Sequence, residues 1–284
     1  MTRQADAPDP ADDATVRLRL DIAYDGTEFA GWAFQPNART VAGEIQTGLS
    51  RLFSAATGLT VAGRTDAGVH ATGQVAHVDV PAVEWQRLAA GLLWRMRGVL
   101  PPDVRLTGVR AVPATFDARF SARSRRYVYR VADTRWGVNP VRRVDTVAWP
   151  RPVDPDAMNQ AAAVLVGEHD FAAFCKRREG ATTIRALRRV DWHRDEEGVL
   201  LATVVADAFC HSMVRSLVGA MLAVGEGRRD RRWLAGLLRL TARSGEVTVA
   251  PARGLTLVEV EYGDEADWVA RQTVTRRRRV LGGD

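Results

Sequence analysis

The chain contains one lysine and two cysteines among 284 residues, and only 7% of its residues are aromatic. Cys175 and Cys210 are too few for a disulfide framework and suit a reducing cytoplasm. No apolar run approaches the ~20 residues that a membrane-spanning helix needs, and no signal peptide opens the chain. We therefore expect a cytoplasmic protein with no membrane segment.

Arginine supplies nearly all of the positive charge, and the formal net charge is +6. The planar guanidinium suits phosphates and the edges of bases. A GC-rich genome would explain much of the preference for arginine over lysine. It would not explain the positive excess, which indicates a polyanionic partner.

The hydrophobic pattern of the first half predicts the order βαββαβ. Residues 16–24 alternate between apolar and polar, as in a half-buried strand, and residues 41–53 have helical spacing after a cap at Asn37 or Thr40. Two strand-like segments then flank a loop at Asp66. An amphipathic helix around residues 85–96 and a strand at 104–112 complete a split βαβ, or ferredoxin-like, unit.

The second half repeats this plan. The pattern predicts a strand at 125–132, a helix opened by Asp154 and Pro155, a hairpin over 184–207, helices at 211–224 and 230–240, and a strand at 255–262. The predicted fold is therefore α+β, with two ferredoxin-like halves, antiparallel sheets flanked by helices, and a cleft between the halves. The boundaries are a disordered segment 1–15, halves at 16–113 and 114–263, and a basic tail 264–284, expected to be solvated or a non-specific RNA-binding arm.

One short stretch combines groups that can carry chemistry. Residues 63–70 read Gly-Arg-Thr-Asp-Ala-Gly-Val-His, which places the carboxylate of Asp66 on a loop between two glycines, close to Arg64. Glycine lets a backbone turn sharply and approach a ligand closely. A carboxylate beside a guanidinium can act as a nucleophile or a base, although an ordinary turn would also contain these residues.

Further segments occur in the order found in the TruA-type tRNA pseudouridine synthases, which the chain resembles from about residue 16 to about residue 262. They are AYDGTEFAGW at 23–32, QPNARTV at 35–41, GRTDAGVH at 63–70, FDARFSA at 116–122, RRYVY at 125–129, HDF at 169–171, HSMVRSLVG at 211–219 and GLTL at 254–257. The resemblance is specific because many motifs agree.

The resemblance implies isomerisation of uridine to pseudouridine in the anticodon arm of tRNA, at family positions 38–40, by a homodimer that cradles tRNA across both subunits. Asp66 would be the nucleophile, adding either to C6 of the base or to C1′ of the ribose. The reaction involves no redox step or hydrolysis, so neither a nicotinamide nor a metal is required. No phosphate-binding glycine loop is present, and no cofactor is expected.

Three further site residues follow from the same resemblance. Arg64 would help to extrude the target nucleotide or fill its place in the stack, rather than pair with a surface acid. Tyr127 would stack on the target base, although alone it would more often be a core residue. Arg215 would pair with Asp66 across the cleft, rather than extend its guanidinium to solvent.

Two rival functions remain open. One is a non-catalytic RNA-binding or RNA-chaperone protein on the same fold, which would not need Asp66. The other is a metal-dependent hydrolase using Asp66, His70 and His77, although no zinc spacing motif supports it. The chain also departs from the family pattern at several positions, which puts in doubt the hydrogen bonding around the helix that carries Arg215. They are Ala33, Cys210, Ser212 and Ser216.

Overall fold

The computed structural model describes residues 14–176, 180 and 182–276. The predicted disordered segment at 1–15 and the end of the basic tail, residues 277–284, therefore lie largely or wholly outside the described residues.

The first half has the predicted order of elements. They are β1 (Thr15–Tyr24), α1 (Val41–Ser50), β2 (Thr57–Val61), β3 (His70–Pro81), α2 (Ala82–Leu88), α3 (Leu92–Val99) and β4 (Val104–Val112). Thr40, not Asn37, caps α1, since its side chain accepts a hydrogen bond from Gly43 N–H at 3.2 Å. The single helix predicted around residues 85–96 is divided into α2 and α3 by a 3₁₀ turn at Ala89–Gly91.

The second half follows the predicted plan with additions. Its elements are β5 (Ala122–Ala132), β6 (Val147–Ala148), α4 (Pro155–Ala162), β7 (Gly167–Asp170), β8 (Ile184–Arg194), β9 (Leu200–Ala206), α5 (Met213–Gly225), α6 (Arg231–Leu237), β10 (Leu255–Tyr262) and α7 (Trp268–Arg276). Asp154 caps α4 by accepting from the N–H groups of Asp156 and Ala157, as its position before Pro155 predicts. The pattern missed β6, β7 and α7; β6 and β7 are too short to show periodicity.

The strands of both halves form one continuous sheet. Its order is β4-β1-β3-β10-β5-β9-β8-β7, while β2 pairs with β3 and β6 pairs with β5. The halves join where β3 and β10 run parallel, through the pairs Thr256↔His70 and Leu257↔Ala71, and the other neighbours along this order are antiparallel. The α+β fold is confirmed, with the two half-sheets fused edge to edge. The loop before β3 and the start of β10 meet at this join.

Residues 268–276 correct the expectation of a solvated tail for that part of the chain. They form α7, and Trp268 is buried against Phe116 with ring centroids 4.8 Å apart. Trp268 is followed by a mostly polar segment, whose hydrophobic period is too weak to predict a helix. In the described part of the chain, no helix is long and apolar enough to cross a membrane.

Candidate active site

The Asp66 loop is held against the segment that follows β1. Trp32 N–H donates to the carbonyl of Thr65 at 3.1 Å, and Gly68 N–H donates to the carbonyl of Phe29 at 3.3 Å. Gly31 lies between these contacts at φ +104°, where a Cβ atom would be 2.9 Å from the Thr65 carbonyl oxygen. Only glycine allows this approach without strain. The motif at 23–32 therefore positions the loop at 63–70.

Buried polar side chains hold the same loop from below. The hydroxyls of Tyr24 and Thr65 are 2.8 Å apart, and Gln74 Nε2 donates to Tyr24 Oη at 3.3 Å and to the Gly63 carbonyl at 2.9 Å. Gln74 is fully buried, and burial raises the pKa of Tyr24 to about 12. These groups fix the backbone on both sides of Arg64, because an unsatisfied buried polar group would be costly.

The second half supplies the groups that contact the Asp66 carboxylate. Ser212 Oγ donates to Oδ2 at 3.2 Å, His211 Nε2 lies 3.3 Å from Oδ1, and an Arg215 terminal nitrogen lies 3.6 Å from Oδ2. Arg215 Nε also donates to the Ala250 carbonyl at 2.7 Å, which fixes the guanidinium. The Asp66–Arg215 pair implied by the resemblance is therefore present, and Asp66 remains partly open to the cleft.

His211 and Ser212 were not among the predicted site residues. Ser212 has φ +63°, and within the described chain no other residue apart from glycine has a positive φ. This left-handed conformation directly before α5 turns the chain so that both side chains face Asp66. Their spacing from Arg215 at the start of a helix was the available signal, since residues one turn apart share a face.

Tyr127 lies in the cleft wall as a buried ring. It is 6% exposed and packs edge-on against Phe209 with ring centroids 5.2 Å apart. Burial raises the pKa of Tyr127 well above the usual value, so the phenol is protonated at neutral pH. Tyr129, two residues along β5, donates to the Pro251 carbonyl at 2.8 Å and is a packing residue.

Arg125 is a buried cation that the sequence did not single out. It is 5% exposed, and its guanidinium donates to the carbonyls of Ala62, Arg119 and Asp207 at 2.5 to 2.7 Å. These carbonyls belong to three chain segments around the cleft. Burial lowers the pKa of Arg125. Its position two residues before Tyr127 on the same strand face was the signal that could have identified it.

Another pair of contacts fixes the segment that carries His211. The side chains of Cys175 and Cys210 lie against each other with Cα atoms 5.7 Å apart, and Lys176 N–H donates to the His211 carbonyl at 3.2 Å. The two cysteines of the chain therefore lie together beside the cleft. Cys210, one of the departures from the family pattern, lines the cleft directly.

The cleft has a volume of about 1020 Å³ and a strongly positive lining. Among the described residues, eight Arg and Lys side chains line it, against two aspartates, Asp66 and Asp207. Arg64 is exposed at its edge and makes no hydrogen bond or ion pair with another described residue. The charge excess of the chain is thus concentrated where a polyanion could enter.

The histidines of the rival metal site are engaged elsewhere. His70 Nδ1 accepts from Gly26 N–H at 3.0 Å, and its Nε2 lies 3.0 Å from the Val144 carbonyl. His77 Nδ1 accepts from Ala118 N–H at 3.0 Å. Across the described ranges, no three His, Cys, Asp or Glu side chains are grouped as a metal site. Both rings thus serve as links between backbone segments.

Comparisons with known proteins agree on one family. A family model described as tRNA pseudouridine synthase matches residues 161–263. A Frankia casuarinae protein named tRNA pseudouridine synthase A is 59% identical over 94% of this chain and 97% of its own length. A protein of the same name from Streptomyces griseus is 54% identical over 97% of this chain and 98% of its own length. Another from Mycobacterium leprae is 48% identical over 92% of this chain and 94% of its own length.

A solved structure, a Cbf5–Nop10–Gar1 complex, aligns with 76% of this chain and 56% of the matched chain, at 14% identity and a TM-score of 0.33. The relatives are similar over nearly the whole chain, including the segments that hold Asp66. On this similarity, the chain belongs to the tRNA pseudouridine synthases, a family of isomerases.

Proposed function

We propose that Asp66 is the nucleophile that converts uridine to pseudouridine in the anticodon stem-loop of tRNA, at family positions 38–40. The observation that carries the proposal is a single carboxylate, contacted by Ser212, His211 and Arg215, at the join of the two half-sheets in a cleft with a cationic lining. The anticodon location rests on the resemblance alone.

The reaction needs a nucleophile and space to turn a base. The bond between N1 and C1′ breaks, the base rotates, and a bond forms between C5 and C1′, after which C5 loses a proton and N1 carries one. A carboxylate that adds to C1′ or to C6 divides this rearrangement into easier steps. Asp66 is 26% exposed and can reach a base in the cleft, while Arg215 and Ser212 orient it.

Tyr127 and Arg64 take different parts in the same proposal. The protonated phenol of Tyr127 offers a flat ring and a hydrogen-bond donor to a base, rather than a phenolate base. Arg64 is free to move into the stack that a target nucleotide leaves. Because extrusion of a paired base costs a few kcal/mol, a group that replaces it lowers the barrier to entry.

The test is single-turnover pseudouridine formation on an unmodified tRNA transcript, with EDTA present, by the unaltered protein, Asp66→Asn and Asp156→Asn. Asp156 is exposed in the first turn of α4 and supplies the matched control. We expect product from the unaltered protein and the control, and none from Asp66→Asn, which should retain tRNA affinity because phosphate contacts dominate it.

Product from Asp66→Asn would show that another group is the nucleophile. Tight tRNA binding without product in any variant would favour the non-catalytic RNA-binding alternative. Hydrolysis of the transcript in place of isomerisation, abolished by EDTA, would favour the metal-dependent hydrolase.

We also propose that the protein is a cytoplasmic homodimer. Trp94 on α3 is 75% exposed, and Trp136 and Val141 after β5 are 64% and 81% exposed. Tryptophan is enriched at interfaces between proteins relative to the rest of the surface, which makes these two tryptophan side chains candidates for the dimer contact. Light scattering should give twice the chain mass of 31.2 kDa, and the single mass would contradict the proposal.

A further inference from the structure

Helix α7 forms one wall of the cleft, although it follows the last strand of the sheet. Arg271, Thr275 and Arg276 line the cleft together with residues from both halves. Trp268 anchors the start of the helix, buried against Phe116 and donating from Nε1 to the Gly263 carbonyl at 3.0 Å. The helix is therefore part of the folded body.

Further contacts fix α7 to the turn between β4 and β5. Gln272 Nε2 donates to the Thr115 carbonyl at 2.6 Å and to Ser121 Oγ at 3.0 Å. Arg271 Nε donates to the Ala122 carbonyl at 3.3 Å. These contacts occupy the inner face of the helix and leave its last turn beside Phe120.

Phe120 brings two guanidinium groups together at this point. The guanidinium carbon of Arg119 lies 5.0 Å from the centre of the ring, and that of Arg276 lies 4.8 Å from it. Cations at this distance are attracted by the ring quadrupole, which orients them without neutralising them. Arg276 is 58% exposed, and its ion pair with Asp117 is long, at 3.6 Å.

We propose that α7 and the turn at residues 116–122 form a second RNA-binding site, in which Arg119 and Arg276 bind backbone phosphates of the tRNA that occupies the cleft. Phe120 holds the two guanidiniums in place for this contact. The identity of the RNA rests on the proposed function, whereas the chemistry of the site, a pair of oriented cations for phosphate, does not.

The charge of the cleft lining favours the phosphates of an RNA backbone as the ligand. Two aspartates stand against eight cationic side chains among the described residues, and Asp66 belongs to the reaction rather than to binding. A guanidinium donates two parallel hydrogen bonds to a phosphate, which makes it a better match than a lysine. The site touches no group proposed to react, so it should act on affinity and not on the chemical step.

The experiment measures the affinity for a tRNA transcript, and the salt dependence of that affinity, for the double variant Arg119→Gln with Arg276→Gln. The matched control is Arg97→Gln with Arg110→Gln, two exposed arginines that do not line the cleft. We expect the cleft pair to weaken binding about tenfold and to reduce the slope of log K against log salt by ~1.5, as for two lost phosphate contacts. The control pair should stay within about twofold.

The dependence of the turnover rate on tRNA concentration is a second measurement, and it distinguishes phosphate binding by Arg119 and Arg276 from a purely structural role. The tRNA concentration for half-maximal rate should rise with the dissociation constant, and more tRNA should restore the rate. Arg276→Lys should recover part of the affinity. Affinity and slope equal to the control pair, or a rate that no tRNA concentration restores, would overturn the proposal. Because binding is measured without turnover, this result is independent of whether Asp66→Asn abolishes product.

Discussion

The floor and the rim of the cleft use arginine in opposite ways. The floor consists of Thr65, Asp66, Arg125 and Tyr127, and the rim consists of Arg64, Arg119 and Arg276. Arg125 is 5% exposed and donates to three carbonyls, whereas the three rim arginines are exposed. The buried cation organises backbone around the carboxylate, and the exposed cations remain available to a ligand. Substitution of the floor arginine should therefore lower stability, and substitution of the rim arginines should lower affinity for the ligand.

The largest effect is expected for Arg125→Met, which removes the cation but keeps much of the side-chain volume. It leaves the Ala62, Arg119 and Asp207 carbonyls without this donor, and the free energy of unfolding should fall by about 3 kcal/mol. Denaturant unfolding measures this loss, and single-turnover rates should fall with it.

Arg126→Met is the control for Arg125→Met. Arg126 is the next residue on β5 and pairs on the surface with Glu259 at 2.8 Å, so its loss should cost under about 1 kcal/mol. Equal losses in the two variants would contradict the distinction between buried and exposed arginine on this strand.

Gly31→Ala should produce the next largest effect, because it displaces the Asp66 loop. The new Cβ would meet the Thr65 carbonyl oxygen at 2.9 Å at a backbone φ of +104°. We expect the single-turnover rate to fall about a hundredfold, as for a catalytic group misplaced by about 1 Å.

Gly137→Ala separates backbone strain from displacement of the loop. Gly137 also has a positive φ, of +87°, but a Cβ there would meet nothing within 4 Å. This control should lose about 1 kcal/mol of stability and no activity. A normal rate in Gly31→Ala would show that the loop tolerates the shift.

The four tyrosines, of which Tyr127 belongs to the floor, should make the stability of the protein depend on alkaline pH. Burial raises the pKa of Tyr24 to about 12 and raises those of Tyr127, Tyr129 and Tyr262 further. In the unfolded chain all four ionise near their ordinary pKa of about 10. Their contribution to stability is therefore complete below pH 10 and is lost as pH rises from there through the folded-state values.

An alkaline titration followed at 295 nm measures this effect. Phenolate absorbance should be absent near pH 10 in the native protein and should rise together with the loss of far-ultraviolet circular dichroism. In denaturant the same tyrosines should titrate near pH 10. A tyrosine that ionises near pH 10 in the folded protein would show that the burial is incomplete.

Most of the secondary structure could be predicted from the sequence, whereas the burial of the floor arginine could not. Alternation and helical spacing predicted βαββαβ and gave the bounds of β4 and β10, because each half-buried element carries its own period. The resemblance brought Asp66 and Arg215 together. Arg125 and Arg126 are adjacent in a basic strand, and the alternation that places Arg125 on the face of Tyr127 does not show that its guanidinium is buried. That burial arises from carbonyls that converge from distant segments.

The same reasoning applies to Ser212 and to α7. The left-handed backbone at Ser212 depends on its surroundings, since serine rarely adopts it alone. Helix α7 is stabilised by Trp268 and Gln272 against the turn at 116–122, and its own sequence is mostly polar. Elements fixed by tertiary contacts leave a weak local signal.

The smallest effect on the fold is expected for Arg64→Gln at the rim. Arg64 is exposed and makes no hydrogen bond or ion pair with another described residue, so the free energy of unfolding should change by less than about 0.5 kcal/mol. If Arg64 fills the place of an extruded nucleotide, the variant should convert folded tRNA about tenfold more slowly. It should convert a stem-loop whose target uridine is mismatched almost normally, because there the base is already unstacked. Equal slowing on both substrates would instead make Arg64 a phosphate contact like the rest of the rim, whose function is affinity alone.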